Sequence, residues 1–359
     1  MKVKSILLMV LMFVSLGCFA APSMQVTLLG TASATTISSQ RYGMATVVRV
    51  NGKALLFDAG RGALIRLHEA GVDLRDISAI FITHLHSDHL TGLPDIYATA
   101  PIRGRNVPFD LYGPPDITRV ADGLKLMFAP NNAIREKDNE INAWASNIIV
   151  HPITKEGVVY DQGGVKVTAF LVDHGQNVKP AFGYRVDYQG RSVVISGDTR
   201  YTANLVKHSQ NVDLLIHCVV AARPEMIAAV PDTMNHLYGY LASPDDVARV
   251  FNETKPHLGV LSHITLFAGG GIAPETDDML HQSIASKYKG NFLVGHDLET
   301  YDIFADGHVE LDKQAANTHG DDAVSVSLTG SHDGHAELDK QAANTHGDDA
   351  VPVSLTGSH

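Results

Sequence analysis

The sequence predicts an α/β fold in which two β-sheets pack together and helices cover their outer faces. Short runs rich in β-branched residues alternate with amphipathic segments, which indicates helices layered on sheets. The first strands come in hairpin-like pairs, because Asn51-Gly52 supplies a turn signal between two of them. Pairs of strands followed by helices, in two halves of the chain, therefore indicate two packed sheets.

The individual elements follow from the periodicity of apolar residues and from cap and turn residues. The predicted strands are 25–29, 45–50, 54–57, 79–83, 165–171, 183–188, 192–196, 213–216 and 258–261. The predicted helices are 62–70, 117–128, 244–253 and 274–288. Ser243 is the expected N-cap of the third helix, and Pro244 suits its first position.

The first twenty residues have the features of an export signal. Lys2 and Lys4 precede an apolar run that is too short to span a bilayer. Small side chains then favour cleavage after Ala20, and a lipoprotein acylated at Cys18 is the alternative. The mature protein is expected to be periplasmic or secreted, without a transmembrane segment.

Residues 312–359 are predicted to be a polar tail that contains a duplication. Residues 310–332 recur at 337–359 with one change, Ser325 against Pro352. The tail has too few large apolar residues for a core of its own, so we expect a largely disordered extension. Its histidines could bind metal, although a solvated tail is the preferred interpretation: His319, His332, His335, His346 and His359.

The body, residues 21–311, is long enough for one large α/β domain. It holds one cysteine, Cys218, which excludes an intramolecular disulfide. Because Cys218 follows an apolar run, we predict a buried, inert thiol rather than a nucleophile. The chain has a net charge of -11, of which about -7 lies in the body, and such an acidic body disfavours a long nucleic acid as partner.

The most informative segment is 79–94, in which an apolar strand runs into a turn crowded with histidines. His84, His86, Asp88 and His89 lie within six residues, which packing alone hardly explains. Ligands at positions i and i+2 can meet at one cation, and those at i+4 and i+5 can turn toward a second. Zinc favours such nitrogen and oxygen donors. The turn cannot complete two coordination spheres, so ligands from distant segments are required.

This segment resembles the HxHxDH signature of the metallo-β-lactamase superfamily. The continuation Gly92-Leu93-Pro94 is similar to the branch that contains ribonuclease Z and arylsulfatase-like proteins. The resemblance extends over about residues 25–305. It implies a four-layer αββα fold, two divalent metal ions that are expected to be zinc, and a possible homodimer.

The resemblance also implies roles for residues outside the histidine turn. Asp58 matches an aspartate that braces the turn, Asp198 matches the bridging ligand, and His263 matches the final histidine. His174 matches the third ligand of the first metal, with His151 as its competitor. The implied first site is His84, His86 and His174, the implied second site is Asp88, His89 and His263, and Asp198 bridges them.

Two residues are expected to take part directly in catalysis. Asp88 would orient the attacking hydroxide. His236, in a stretch predicted to be a loop, matches a histidine that lies near the scissile bond in the ribonuclease Z branch, as proton donor or anion stabiliser. A surface histidine is the alternative. That branch usually pairs this histidine with a His-Glu motif, which here reads His217-Cys218 and lacks the carboxylate.

These features predict hydrolysis of an ester by a two-metal centre. Iron-dependent oxidoreductases of the superfamily usually carry glutamate where this chain has His86. The ribonuclease Z branch commonly has a tRNA-gripping arm between the residues that match His174 and Asp198, and this interval is too short for one. We expect a small exported substrate, first an aryl sulfate and second a phosphodiester. The same residues leave open a β-lactam or lactone substrate, or a non-catalytic binding role.

Overall fold

Two mixed β-sheets face each other in the computed structural model of the protein, which describes residues 21–312. In chain order the strands are β1 (Met24–Gly30), β2 (Ala45–Val50), β3 (Lys53–Phe57), β4 (Ile77–Phe81), β5 (Phe109–Gly113), β6 (Ile148–Pro152), β7 (Gly157–Gln162), β8 (Val165–Val172), β9 (Ala181–Tyr188), β10 (Arg191–Ile195), β11 (Leu214–Ala221), β12 (Leu258–Leu266), β13 (Phe292–Val294), β14 (Thr300–Ile303) and β15 (Val309–Asp312). The helices are α1 (Ala63–Glu69), α2 (Leu93–Thr99), α3 (Ile117–Lys137), α4 (Ala203–His208), α5 (Pro224–Ala229), α6 (Pro231–Tyr238), α7 (Pro244–Thr254) and α8 (Asp277–Ala285).

Each sheet has an antiparallel part and a parallel part. The first sheet has the order β15-β14-β1-β2-β3-β4-β5-β6 and is parallel from β3 to β6. The second has the order β13-β12-β11-β10-β9-β8-β7 and is parallel from β10 to β13. Parallel neighbours need crossover connections, and each of the six connections here contains at least one helix. The carboxyl ends of the parallel strands bring loops together at one edge of the sandwich.

Three hydrophobic layers make this a four-layer αββα arrangement, as predicted. One core lies between the sheets and includes Phe57, Phe81 and Tyr184. A second core packs α1, α2 and α3 on the first sheet, and a third packs α4, α7 and α8 on the second. The hydroxyl of Tyr184 in β9 donates a hydrogen bond of 2.8 Å to the carbonyl of Ile82, so the two sheets are tied together directly behind the histidine turn.

All of the predicted strands and helices occur, but several elements were missed. Pro231 suggested a loop, yet it occupies the first turn of α6, where its missing N–H is no loss. Helix α3 continues beyond its predicted end at Phe128 and passes through Pro130. Ser243 caps α7 as predicted, since its hydroxyl accepts from the backbone N–H of Asp246.

The two ends of the chain largely lie outside the described residues. The predicted signal peptide, with its cleavage point at Ala20 and the alternative lipid site at Cys18, precedes them, and nearly all of the duplicated tail follows them. Asp312, which the sequence pattern assigned to the tail, is instead the last residue of β15 and pairs with Thr300. Across residues 21–312, no helix has both the length and the apolar character needed to cross a membrane.

His217 is a buried histidine in β11 that is held in its neutral form. Its Nδ1–H donates to the carbonyl of Cys218 at 2.7 Å, and its Nε2 has no hydrogen-bond partner within residues 21–312. Burial lowers the pKa of His217 to about 4. The neighbouring Cys218 is a free, buried cysteine, and burial raises the pKa of its thiol to about 12, which agrees with the predicted inert role.

We expect His217 to make the fold less stable in acid. An unfolded histidine titrates near about 6.5, so the folded protein binds fewer protons than the unfolded chain between that pH and the folded pKa. The free energy of unfolding should therefore fall by up to about 3 kcal/mol as the pH drops through this window. Denaturant unfolding at several pH values should show a shallower decline in His217→Leu and an unchanged one in the exposed His281→Gln. Equal slopes in wild type and His217→Leu would contradict this account.

Candidate metal centre

The histidine turn begins where β4 ends at the edge of the first sheet. His84 and His89 are fully buried, Asp88 is 6 % exposed, and His86 faces the solvent. Ser87 to His89 form a single turn of 3-10 helix, which points successive side chains in different directions. The turn therefore divides its potential ligands between two directions, as the spacing predicted.

Asp58, at the end of β3, braces this turn from beneath. Its buried carboxylate accepts the backbone N–H of Thr83 at 2.8 Å and the Thr83 hydroxyl at 2.9 Å. It also lies 2.8 Å from Nδ1 of His89, which must donate to it. His89 is thereby fixed in the tautomer whose Nε2 carries a lone pair, and this is the bracing role predicted for Asp58.

Gly60 allows the end of β3 to pack so closely against the histidine turn that no side chain would fit between them. A Cβ at Gly60 would lie 2.3 Å from the carbonyl oxygen of Asp88, and one at Gly92 would lie 2.1 Å from the carbonyl oxygen of Gly60. The backbone of the Asp58-Ala59-Gly60 segment therefore touches the turn directly. The glycines serve here to permit this close approach.

The second sheet contributes the remaining residues of the cluster. His174 follows β8 and Asp198 follows β10, while His263 lies within β12. Gly197 has a φ of 61°, and a Cβ there would lie 2.7 Å from the carbonyl oxygen of Phe182. Glycine is thus needed for the turn that presents Asp198.

A β-bulge turns His263 toward the cluster. The pairing between β11 and β12 shifts register at this point, and His263 has a left-handed φ of 47°. Such a backbone is strained for a residue with a Cβ and persists where the surrounding structure holds it. The bulge aims the imidazole at Asp88 and Asp198, with Nε2 at 3.1 Å and 3.2 Å from their Oδ2 atoms.

Three imidazoles meet closely at the first of the predicted sites. Nδ1 of His86 lies 3.0 Å from Nε2 of His84 and 3.1 Å from Nε2 of His174. The Nδ1–H of His174 donates to the carbonyl of Tyr240 at 2.9 Å, so its Nε2 carries a lone pair. His84 is similarly held by the Thr83 hydroxyl at 3.0 Å. His86 can donate to one of these nitrogens but not to both, so lone pairs face each other, an arrangement that suits a cation.

The second predicted site joins the first through Asp198. Potential ligand atoms of Asp88, His89 and His263 lie within 4.8 Å of one another, as do those of His84, His89 and Asp198. Nε2 of His89 and Oδ1 of Asp198 are 3.6 Å apart and buried, yet neither has a hydrogen-bond partner among the described residues. Buried polar atoms rarely stay unsatisfied in proteins. The two atoms therefore point toward a shared position, and a divalent ion bound there would satisfy both of them.

The protonation states of His84 and Asp198 favour cation binding by the cluster. Burial, and then the neighbouring His89, keep the pKa of His84 well below its ordinary value, so the ring is neutral and able to ligate. Burial alone would raise the pKa of Asp198, but His263 and His89 hold it well below the usual range. An ionised Asp198 beside the neutral ring of His84 provides the oxygen and nitrogen donors that suit zinc.

An open cavity of about 690 Å³ lies beside the first cluster. His86 and His174 form part of its wall, together with the loop from Asp173 to Lys179. The same cavity is lined by His236, which the structure places on helix α6 and not in the predicted loop. His236 is exposed, and its ring stands 5.4 Å from that of Tyr240.

Sequence reasoning missed Tyr240, and the alternative ligand His151 lies away from the cluster. Tyr240 lines the cavity and contacts His174 through both its carbonyl and its ring, but no motif marks it. His151 belongs to β6, where it bonds to Asp110 at 2.6 Å and stacks on Tyr112, away from the cluster. Cys218, which the resemblance matched to a position that is usually glutamate, is buried beside Thr199. Its Sγ donates to the carbonyl of Thr199 and accepts from the backbone N–H of that residue, which supports the turn that carries Asp198.

We expect Asp58→Asn to weaken metal binding about 10- to 100-fold, because an amide cannot accept from both Thr83 and His89 as the carboxylate does. The measurement is the metal content per chain after equilibration at fixed free zinc. Asp110→Asn is the matched control, since Asp110 also bonds a histidine but lies outside the cluster. Equal metal affinity in wild type and Asp58→Asn would show that the brace is unnecessary.

The sequence has relatives over most of its body. Residues 24–237 match the protein family described as Anti-Pycsar protein Apyc1. Ribonuclease Z of Mycobacterium bovis is 29% identical over 284 residues, which is 78% of this chain and 98% of that protein. Ribonuclease Z of Mycobacterium sp. (strain KMS) is 30% identical over 282 residues, with coverage of 78% and 96%.

Solved structures show the same fold. The metallo-β-lactamase fold protein YhfI from Bacillus subtilis aligns with a TM-score of 0.61 at 15% identity and covers 78% of this chain and 99% of that one. The short form of human tRNase Z aligns with a TM-score of 0.57 at 23% identity and covers 77% and 98%. The chain therefore belongs to the Anti-Pycsar protein Apyc1 family, in the ribonuclease Z-like branch of the metallo-β-lactamase superfamily of metal-dependent hydrolases.

Proposed function

We propose that this protein is a two-zinc hydrolase of small phosphodiesters. The observation that carries the proposal is the meeting of seven potential ligands beside one open cavity: His84, His86, Asp88, His89, His174, Asp198 and His263. The nitrogen-rich donor set favours zinc over harder cations. One neighbour of the same fold, PqqB from Methylobacterium extorquens, is described as Zn²⁺-bound.

The side chains of the cluster have distinct tasks in such a reaction. When bound, two divalent ions supply Lewis acidity and make water a nucleophile near neutral pH. Burial alone would raise the pKa of Asp88, but the hydrogen bond from His263 and the charges of His89 and His263 together lower it. Asp88 is therefore an ionised acceptor that can orient the attacking water and accept its proton.

The space around the site supports a small substrate. The interval between His174 and Asp198 is occupied by a short loop and by β9 and β10, both of which belong to the second sheet. There is no inserted arm in this stretch that could grip a tRNA. The cavity of about 690 Å³ also lies within the size range of small-molecule pockets. Export, which we propose from the pattern of residues 1–20, would expose the site to small esters outside the cytoplasm.

The wall of the cavity supports an anionic substrate. Arg200 is paired with Asp173 at 2.6 Å, whereas Lys179 is exposed and forms no ion pair within residues 21–312. One ammonium group thus remains available in the cavity of an otherwise acidic chain. A cation in this position can attract and hold a phosphate or sulfate ester.

A phosphodiester is preferred to a sulfate ester because relatives at 29–30% identity are ribonucleases, which by name act on RNA. The aryl sulfate that the sequence pattern favoured is the second candidate, since it rests on the Gly92-Leu93-Pro94 continuation. Both substrates are oxyanion esters and would be hydrolysed at the same metal centre. The relative rates of phosphodiester and sulfate ester hydrolysis therefore decide between the two candidates.

His236 is proposed to act on the leaving group. It is exposed on α6, lines the cavity without contacting any of the predicted metal ligands, and its ring contacts the ring of Tyr240. An imidazole in this place can donate a proton to an oxygen that leaves toward solvent.

A substrate panel tests the reaction class. We expect chelator-sensitive release of p-nitrophenol from bis-p-nitrophenyl phosphate, slower release from p-nitrophenyl sulfate and no opening of nitrocefin. The variant His86→Ala should lose turnover, and the exposed His281→Ala should retain it. Faster turnover of the sulfate would favour the second candidate. No turnover of any compound by the metal-loaded protein would favour a binding role.

We expect His236→Ala to lower kcat by about 100-fold, in the range of general acid catalysis. Metal content should not change, because His236 contacts none of the predicted ligands. Steady-state kinetics together with elemental analysis would check both statements. An unchanged kcat would remove the proton-donor role from His236.

A further inference from the structure

Tyr240 contacts both a predicted metal ligand, His174, and the cavity residue His236. Its ring centroid lies 5.3 Å from that of His174 and 5.4 Å from that of His236, and those two histidines make no ring contact with each other. Its carbonyl accepts the Nδ1–H of His174 at 2.9 Å. A Cβ at Gly175 would lie 3.2 Å from Cβ of Tyr240, so the loop that follows β8 packs closely against it.

These contacts hold Tyr240 in place through its backbone and ring. The hydroxyl, in contrast, has no hydrogen-bond partner within residues 21–312, although the side chain is half-buried and lines the cavity. A tyrosine hydroxyl usually finds a partner in the protein when it is buried, and one that reaches a cavity can bond to a molecule there instead. The phenol is thus a positioned, neutral donor that is left available to a molecule in the cavity.

The order of the three rings suggests which substrate oxygen it meets. A phosphorus atom under attack must lie next to the metal ligands, which include His174. Tyr240, whose ring is adjacent to that of His174, is therefore within reach of the phosphoryl oxygens. The leaving group would extend toward the solvent, where His236 stands.

We propose that Tyr240 is a catalytic residue that donates a hydrogen bond to a non-bridging oxygen of the substrate, where negative charge gathers during attack. This inference rests on the proposed phosphodiester hydrolysis. The hydroxyl keeps its proton throughout, so its contribution is stabilisation of charge and not proton transfer. Such a donor acts most strongly on the transition state, because a hydrogen bond to a charged oxygen is stronger than one to a neutral oxygen.

Tyr240→Phe tests the proposal, because it removes the hydroxyl and leaves the ring and the carbonyl that hold His174. The substrates are the phenyl and p-nitrophenyl esters of thymidine 5′-phosphate, which differ in leaving group and share the phosphoryl oxygens. We expect kcat to fall by about 10- to 100-fold on both esters by the same factor, with little change in KM or in metal content. His236→Ala, by comparison, should lose more on the phenyl ester, whose leaving group needs a proton more.

Tyr238→Phe is the matched control. Tyr238 packs on the small hydrophobic cluster beneath α5 and α6 and does not line the cavity, so its variant should keep wild-type kinetics. A kcat of Tyr240→Phe within twofold of wild type would overturn the proposal. A loss that grows from the p-nitrophenyl to the phenyl ester would overturn it too, because the hydroxyl would then act on the leaving oxygen. Loss of metal would instead assign Tyr240 a structural role.

The same experiment separates the inference from the proposed function. If wild type shows no chelator-sensitive turnover of either ester, phosphodiester hydrolysis is wrong and the role of Tyr240 falls with it. If wild type turns over both esters and Tyr240→Phe matches it, only the role of Tyr240 is wrong.

Discussion

The buried carboxylate of Asp58 is the interaction on which the rest of the site depends. It is fully enclosed and accepts from a backbone N–H, a hydroxyl and an imidazole, so its charge is compensated by hydrogen bonds. These bonds connect the end of β3 to the turn after β4 and set the tautomer of His89. Loss of the carboxylate would leave the turn free to adopt different arrangements of its histidines.

Other histidines of the cluster are also held in one tautomer by hydrogen bonds. The carbonyl of Tyr240 holds His174 and the hydroxyl of Thr83 holds His84, each at the nitrogen that faces away from the centre. Their inner nitrogens therefore present lone pairs before any ion arrives. A site organised in this way binds metal without first reorganising its ligands, which favours both affinity and fixed geometry.

Much of this arrangement could be predicted from sequence because it depends on local patterns. The spacing of His84, His86, Asp88 and His89 indicated two metals, and the resemblance to the metallo-β-lactamase superfamily implied Asp198 and His174 as further ligands. The helix that carries His236 escaped prediction, because proline near its start resembled a loop signal. Tyr240 escaped as well, since its importance arises from contacts with residues 66 positions away in the chain. No periodicity encodes such a contact.

The division of the cluster between the two sheets also has a thermodynamic consequence. Four of its residues come from the turn after β4, and three come from the loops and strands of the opposite sheet. Any ion bound by both groups is a cross-link between the halves of the sandwich, and it is available only to the folded chain. Binding is therefore linked to folding, and the resistance of the protein to heat and proteolysis rises with the free metal concentration around it.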